Sequence, residues 1–233
     1  MQREGVAVST ELYDPIKTMS RLTDKVIVGF SGGKDSIVTL DLCMRYFKEV
    51  HPYFLYLVPG LSFQERTVRW YEDRYGVKIT RLPHFEVSNF LRYGTFRAAD
   101  MTVPIISVSD VYSYLRGETG ATWIAAGERI ADSIVRRAMI KSTGSIDQKR
   151  GRFYPVAYWR KAEIMAYIKR KRLYLPPDSR KLGFSFRSLD GKQLAYVKDV
   201  YPDDYEKIKR FYPHCGAAVR RFEQQQGVSV PEL

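Results

Sequence analysis

Six consecutive residues, Ser31-Gly32-Gly33-Lys34-Asp35-Ser36, set two hydroxyls, an ammonium and a carboxylate around a pair of glycines. A side chain at Gly32 or Gly33 would block both unusual backbone angles and the close approach of an oxyanion. A turn of this composition that opens a helix aims several backbone N–H groups into one small concavity, where the helix dipole adds positive potential, and such a place holds phosphate. Ser31 and Ser36 then supply hydroxyls, Lys34 a point charge, and Asp35 either a helix cap or a grip on a magnesium-bound water. A second chemistry-bearing segment is Gly127-Glu128-Arg129-Ile130-Ala131-Asp132-Ser133-Ile134-Val135-Arg136-Arg137, which brings arginines to the end of an apolar run.

The elements around these segments explain how they would be positioned. Lys25 to Phe30 is a short β-branched run, expected to be a buried parallel strand, and the glycine loop follows it directly. Ile37, Leu40, Cys43, Met44 and Phe47 then recur at helical spacing. The unit repeats with Tyr53 to Val58 as strand, Phe63 to Tyr75 as a helix closed by Gly76, and Val77 to Leu82 as a third strand. Thr122 to Ala126 reads as another strand, which Gly127 and a helix from Ala131 to Lys141 follow. Alternation of this kind predicts a doubly wound, mostly parallel α/β sheet, with ligands at the carboxyl ends of its strands.

Elsewhere the reading is coarser. Glu11 to Leu22 forms a helical lead-in, residues 83 to 121 are irregular apart from a helix near Ser109 to Arg116, and Arg160 to Lys171 is an amphipathic helix ending before Pro176-Pro177. Asp178 to Lys192 reads as a mobile loop, and Leu194 to Val200, Tyr205 to Phe211 and Ala217 to Gln226 as terminal helices. The expected organisation is a lead-in over 1–24, a nucleotide-binding domain over 25–175, and a loop and helical C-terminal extension over 176–233.

Two cysteines, Cys43 and Cys215, cannot build a disulfide framework, a four-cysteine zinc site or an iron–sulfur cluster within one chain. Together with the lack of an apolar run of about 20 residues, and of a signal-peptide pattern at the N-terminus, this predicts a cytoplasmic protein with no membrane partner. Cys43 falls on the apolar face of its helix. Cys215, in Pro213-His214-Cys215-Gly216, is either a nucleophile with a lowered pKa beside His214 or a small residue capping the last helix. His51 and His84 are unclustered and read as structural. The net charge of +12 and pI near 9.6 attract polyanions, and the density of Lys and Arg between Lys141 and Lys181 points to a basic face in the C-terminal half, suited to nucleic acid.

The loop has neither the Walker A spacing nor the Gly-x-Gly-x-x-Gly fingerprint. It resembles instead the PP-loop of the ATP pyrophosphatase, or adenine nucleotide alpha-hydrolase-like, superfamily. The Gly127 segment is similar to the Gly-x-Arg-x-x-Glu/Gln-Ser-x-x-Arg segment of that superfamily's PAPS reductase-like branch, with Gly127, Arg129, Ser133 and Arg136 matching by position and Asp132 at the acidic or amide position. Phe153-Tyr154-Pro155-Val156-Ala157-Tyr158-Trp159-Arg160-Lys161 resembles the branch's Pro-Ile/Leu-x-x-Trp segment. The resemblance implies ATP, or PAPS, held with Mg2+ by Phe30 to Ser36 together with Gly127, Arg129, Ser133 and Arg136. It further implies an enzyme in which Lys34, Arg129 and Arg136 assist transfer of AMP to an acceptor with release of pyrophosphate. The chain departs from the branch at Val58-Pro59-Gly60, where an Asp-Thr-Gly is usual, and in lacking cluster cysteines. Sulfonucleotide reduction through Cys215, or nucleotide sensing without catalysis, are the alternatives.

Overall fold

Lys25–Gly29 forms β1, and Val26, Ile27 and Val28 at its centre are wholly buried, as an apolar strand flanked by two partners requires. One partner is β2, Glu49–Tyr56, and the other is β4, Ile124–Ala125; both run parallel to β1. With β3 (Thr80–Pro83), β5 (Ile146–Asp147) and β6 (Arg152–Phe153) they make one sheet in the order β3-β2-β1-β4-β6-β5. β4 and β6 are parallel, and β5 returns antiparallel along the edge. The computed structural model describes residues 10–182 and 185–227; residues 1–9 of the lead-in, 183–184 of the expected loop and 228–233 of the C-terminal region lie outside them.

The order places a topological switch point at β1. From β1 the chain crosses through α2 (Lys34–Tyr46) to β2 on one side, and later enters β4 on the other side of β1. This reversal opens a crevice beyond the carboxyl ends of β1 and β4, the general binding place of open α/β sheets. The fold is the doubly wound, mostly parallel α/β sheet expected, with helices after it.

The chain divides into two compact units. Unit 1 comprises Met1–Phe54, Val68–Thr80 and Ser113–Ser185. In it α1 (Asp14–Leu22) buries Ile16 and Met19, and α7 (Lys161–Lys171) buries Ile164, Tyr167 and Ile168. Asp41 of α2 has a wholly buried side chain and accepts hydrogen bonds from Arg45 Nε (2.6 Å), from the Tyr167 hydroxyl (2.6 Å) and from the Tyr75 hydroxyl. Burial alone would raise the Asp41 pKa, but these bonds outweigh it and hold the carboxyl below the usual range. The chain thereby ties α2 to α7 and to Tyr75, the last residue of α3 (Ser62–Tyr75), through one carboxylate.

Unit 2 comprises Leu55–Thr67, Arg81–Tyr112 and Phe186–Leu233. Its core gathers Leu57, Val58 and Phe63 with Leu194, Ile208, Tyr212 and Val219 from α9 (Gly191–Val200), α10 (Pro202–Phe211) and α11 (Gly216–Gln225). Gly191 lets α9 and α11 meet, since a Cβ there would lie 2.3 Å from the Ala218 carbonyl oxygen.

Several expectations change at this level. β2 begins at Glu49, ahead of the apolar run, and β3 begins only at Thr80, because the Ile79 N–H is taken by the Glu72 carboxylate (2.8 Å). The irregular stretch contains α4 (Phe85–Tyr93), capped by the His84 ring, and α5 extends over Val108–Thr119. Nor is 178–192 one mobile loop: α8 occupies Pro177–Leu182, with proline at its first position, and Asp190 Oδ1 caps α9 by accepting the Gln193 N–H (2.9 Å).

Candidate functional site

The loop after β1 is held by its own serines. The Ser31 N–H and hydroxyl both donate to Ser36 Oγ (3.1 Å each), and Ser36 Oγ donates to the Gly33 carbonyl (2.9 Å). The hydroxyls that sequence reasoning offered to a ligand are thus spent on shaping the turn. The first helical bond of α2 runs from Ile37 N–H to the Gly33 carbonyl (2.9 Å), so the N–H groups of Lys34, Asp35 and Ser36 precede the helical ladder.

The two glycines differ. Gly32 has φ +70°, which L side chains rarely adopt. Gly33 is the N-cap at φ −82°, ψ 156°, an ordinary extended conformation, and a Cβ there would make ordinary contact with the Ser31 and Ser185 side chains, whose hydroxyls are nearest at 3.4 Å. The backbone angles at 33 do not require glycine.

Asp35 does not cap α2, whose cap has no side-chain bond. Its carboxylate instead lies between cations, with Lys34 Nζ 2.7 Å from Oδ2 and Arg129 Nε 2.8 Å from Oδ1. Arg129 is 4% exposed and held on two further sides, donating to Asp132 Oδ1 (2.7 Å) and to the Trp159 carbonyl (3.1 Å). Asp132 also pairs with Arg136 (3.1 Å). Lys34, Asp35, Arg129, Asp132 and Arg136 therefore form one continuous alternation of charge across the carboxyl ends of β1 and β4.

Gly127 closes the gap between those strand ends. A Cβ on it would stand 3.0 Å from Ser36 N and 3.1 Å from the Asp35 carbonyl carbon, so only glycine allows the β4 loop to lie against the first turn of α2. After it, Asp132 Oδ2 accepts the Arg129 N–H (3.0 Å) and Ser133 Oγ accepts the Arg136 N–H (3.2 Å). Ser133 is thus the N-cap that starts α6 at Ile134–Thr143, three residues later than periodicity suggested. Arg136 is half-exposed, with donors left over after Asp132. Phe30 sits apart from this array: its ring is buried edge-on against Tyr71.

Sequence reasoning therefore found residues that the fold does bring together, Gly127 and Arg129 beside Lys34 to Ser36. It missed the two carboxylates' role as bridges, for which charge alternation along Lys34-Asp35 and Arg129-x-x-Asp132 is the available signal. Cys215 does not join the set. It is wholly buried in the unit 2 core, burial pushes its thiol pKa up, and the Tyr205 hydroxyl partners it. Cys43 is buried behind α2 as expected. Among the described residues no cluster of His, Cys, Asp and Glu could hold a metal ion, and no helix is long and apolar enough to cross a membrane.

With this geometry in place, comparison with known proteins is decisive at the family level. The model of the phosphoadenosine phosphosulfate reductase domain matches residues 25–177. The chain belongs to that family. It is accordingly a member of the PP-loop, adenine nucleotide alpha-hydrolase-like superfamily, whose motifs are the loop and the Gly127 segment just described. A curated relative, the uncharacterized protein MJ0066 of Methanocaldococcus jannaschii, is 37% identical over 84 residues, covering 35% of this chain and 16% of that protein; the chain therefore spans a small part of that relative's length. Among solved structures, the NH3-dependent NAD synthetase of Campylobacter jejuni shares the fold at TM-score 0.50 and 15% identity, over 96% of each chain. The PAPS reductase of Candida auris aligns at TM-score 0.48 and 15% identity, over 79% of this chain and 97% of its own.

Proposed function

We propose that the chain binds ATP, or a closely related adenine nucleotide, at the loop between β1 and α2 and transfers AMP to an acceptor with release of pyrophosphate. The observation that carries the reading is Gly33: a glycine the backbone does not need, at the head of a helix whose first amides are unpaired, is explained by an oxyanion that must come close. The β- and γ-phosphates would rest on the N–H groups of Lys34, Asp35 and Ser36, with the Lys34 ammonium turning from Asp35 to meet them. Arg136 would approach the α-phosphate from the β4 side with its remaining donors, beside Gly127 and Ser133. Arg129 is the positioning residue of the group, since its guanidinium is already divided among Asp35, Asp132 and the Trp159 carbonyl.

Magnesium fits this arrangement as part of the substrate. Mg2+ keeps most of its waters and is commonly carried on phosphate oxygens with little protein coordination. Both oxygens of Asp35 already face cations, so any hold on the ion by Asp35 would pass through a water. The chemistry is then positioning and electrostatics. An acceptor oxygen attacks the α-phosphorus, the bond to the bridging oxygen of the β-phosphate breaks, pyrophosphate departs with that electron pair, and the acceptor's proton passes to solvent.

The test is to incubate the protein with ATP labelled at the α-phosphate, magnesium and a cell extract as the source of acceptor. Pyrophosphate release together with label on an acceptor, both lost in Lys34→Ala, supports the reading. Magnesium-dependent ATP binding with no pyrophosphate formed under any condition would leave a nucleotide sensor in its place. Sulfonucleotide reduction has no support from Cys215, whose thiol is enclosed.

A further inference from the structure

The rim of this site carries side chains that neither the fold nor the nucleotide accounts for. Ile134 and Val135, the first two residues of α6, are 83% and 78% exposed, in a chain that buries most of its other β-branched residues. They follow directly on Ser133 and precede Arg136. Beside them runs the loop after β6: the Ile130 N–H donates to the Ala157 carbonyl (2.9 Å) and Arg129 to the Trp159 carbonyl, which brings Tyr158, 47% exposed, to the same end of the sheet. Arg137 in the first turn of α6, and Arg160 and Lys161 at the head of α7, are exposed.

The charge here is one-sided. Asp132 is paired with Arg129 and Arg136 and Glu128 with Arg152 (2.8 Å); Glu163, whose carboxylate accepts the Arg160 backbone N–H (2.6 Å), is one anion beside three exposed cations. What faces outward is an aliphatic pair and an aromatic ring among unneutralised cations. A second copy of the chain presenting the same patch would meet its own charge, and an ordinary apolar partner would leave the positive charges of Arg137, Arg160 and Lys161 unneutralised. A chain that alternates flat apolar groups with anions satisfies both features.

We propose that this surface docks single-stranded nucleic acid, with unstacked bases on Ile134, Val135 and Tyr158 and phosphates on Arg137, Arg160 and Lys161, so that the strand presents an acceptor group to the nucleotide. As an acceptor site the proposal rests on the adenylyl-transfer reading; as a strand-binding surface it is measured separately. Exposed aliphatics at the head of α6 serve a partner that arrives after folding, because burying them within the chain would have contributed about 1.5–3 kcal/mol each.

The experiment is fluorescence anisotropy with short labelled oligonucleotides of mixed sequence, single-stranded and duplex, on the full-length protein. The paired variant Ile134→Ser/Val135→Ser is expected to bind single strands about tenfold more weakly, and Tyr158→Ala at least about fivefold, in line with the loss of one base-stacking platform. Arg137→Ala is expected to flatten the dependence of log affinity on log salt by about 0.7. Calorimetric binding of MgATP should be unchanged in all three, since none of these side chains lies in the loop; this also reports that the variants are folded.

Equal strand affinity in the paired variant and wild type overturns the proposal. So does tighter binding of duplex than of single strands, and so does a concentration-dependent dimer in sedimentation that the paired variant abolishes, which would make the patch a self-association face. If wild type binds strands as described but no MgATP, the strand surface stands and the adenylyl-transfer reading falls.

Discussion

Replacing Arg129 with methionine keeps an unbranched apolar stem and removes every polar contact the guanidinium makes. In the folded protein the side chain is 5% exposed and its guanidinium answers Asp35 at 2.8 Å, Asp132 at 2.7 Å and the Trp159 carbonyl at 3.1 Å. Removing one partner of a buried ion pair typically costs about 3–5 kcal/mol, because the remaining charge stays desolvated. Here the cost is lower, since Asp35 keeps Lys34 and Asp132 keeps Arg136, both of them partly solvated. We therefore expect a loss of about 2–4 kcal/mol, which for a chain of this size lowers the melting temperature by about 5–15 °C. Urea denaturation at two ionic strengths gives the same quantity directly, and the loss should change little with salt because the pairs are enclosed. Arg129→Lys should recover only part of it, as an ammonium reaches one of the three acceptors in place of all. A melting temperature within about 2 °C of wild type for Arg129→Met would refute the claim that this residue holds the two strand ends together.

Asp41→Asn should lower stability by about 2–3 kcal/mol at neutral pH. Because the folded Asp41 pKa lies below its unfolded value, that contribution is present above about pH 4 and lost as pH falls through the folded pKa. The difference between variant and wild type, followed by thermal melts across pH, should thus shrink in acid; a constant difference would contradict the assigned network. Neither Cys43 nor Cys215 should react with a thiol reagent in the native protein within minutes, since burial raises both thiols. Rapid labelling of one equivalent at Cys215 would return it to consideration as a nucleophile.

What the sequence made legible tracks how local the cause is. β1 and α2 were readable because their own residues carry the reason for them: a continuous buried run, then apolar positions at three and four spacing. β5 and β6 were not, being two residues long and defined by pairing with distant segments. α8 hid in a stretch rich in Gly, Ser and Arg, where the proline at its first position was read as a stop when it was also a start. The candidate site divides in the same way. Gly127 and Arg129 could be placed beside the loop from motif and topology, yet the carbonyl that holds Arg129 belongs to Trp159, 30 residues on, and a main-chain oxygen leaves no mark in the side-chain sequence. Gly32 and Gly33 looked alike as letters; only their φ values, +70° and −82°, separate a glycine the backbone needs from one it does not.

That distinction supplies the most direct test of the central claim. Gly33→Ala adds one methyl at a position whose backbone accepts it and where the nearest protein atoms, the Ser31 and Ser185 hydroxyls, lie at an ordinary contact distance of 3.4 Å. The variant should melt within about 2 °C of wild type, whereas calorimetric titration with MgATP should show wild-type binding and a loss of at least about tenfold, or 1.4 kcal/mol, in the variant. Equal affinity in the two proteins would mean that no phosphate sits on the amides at the head of α2, and the account built on it would be wrong.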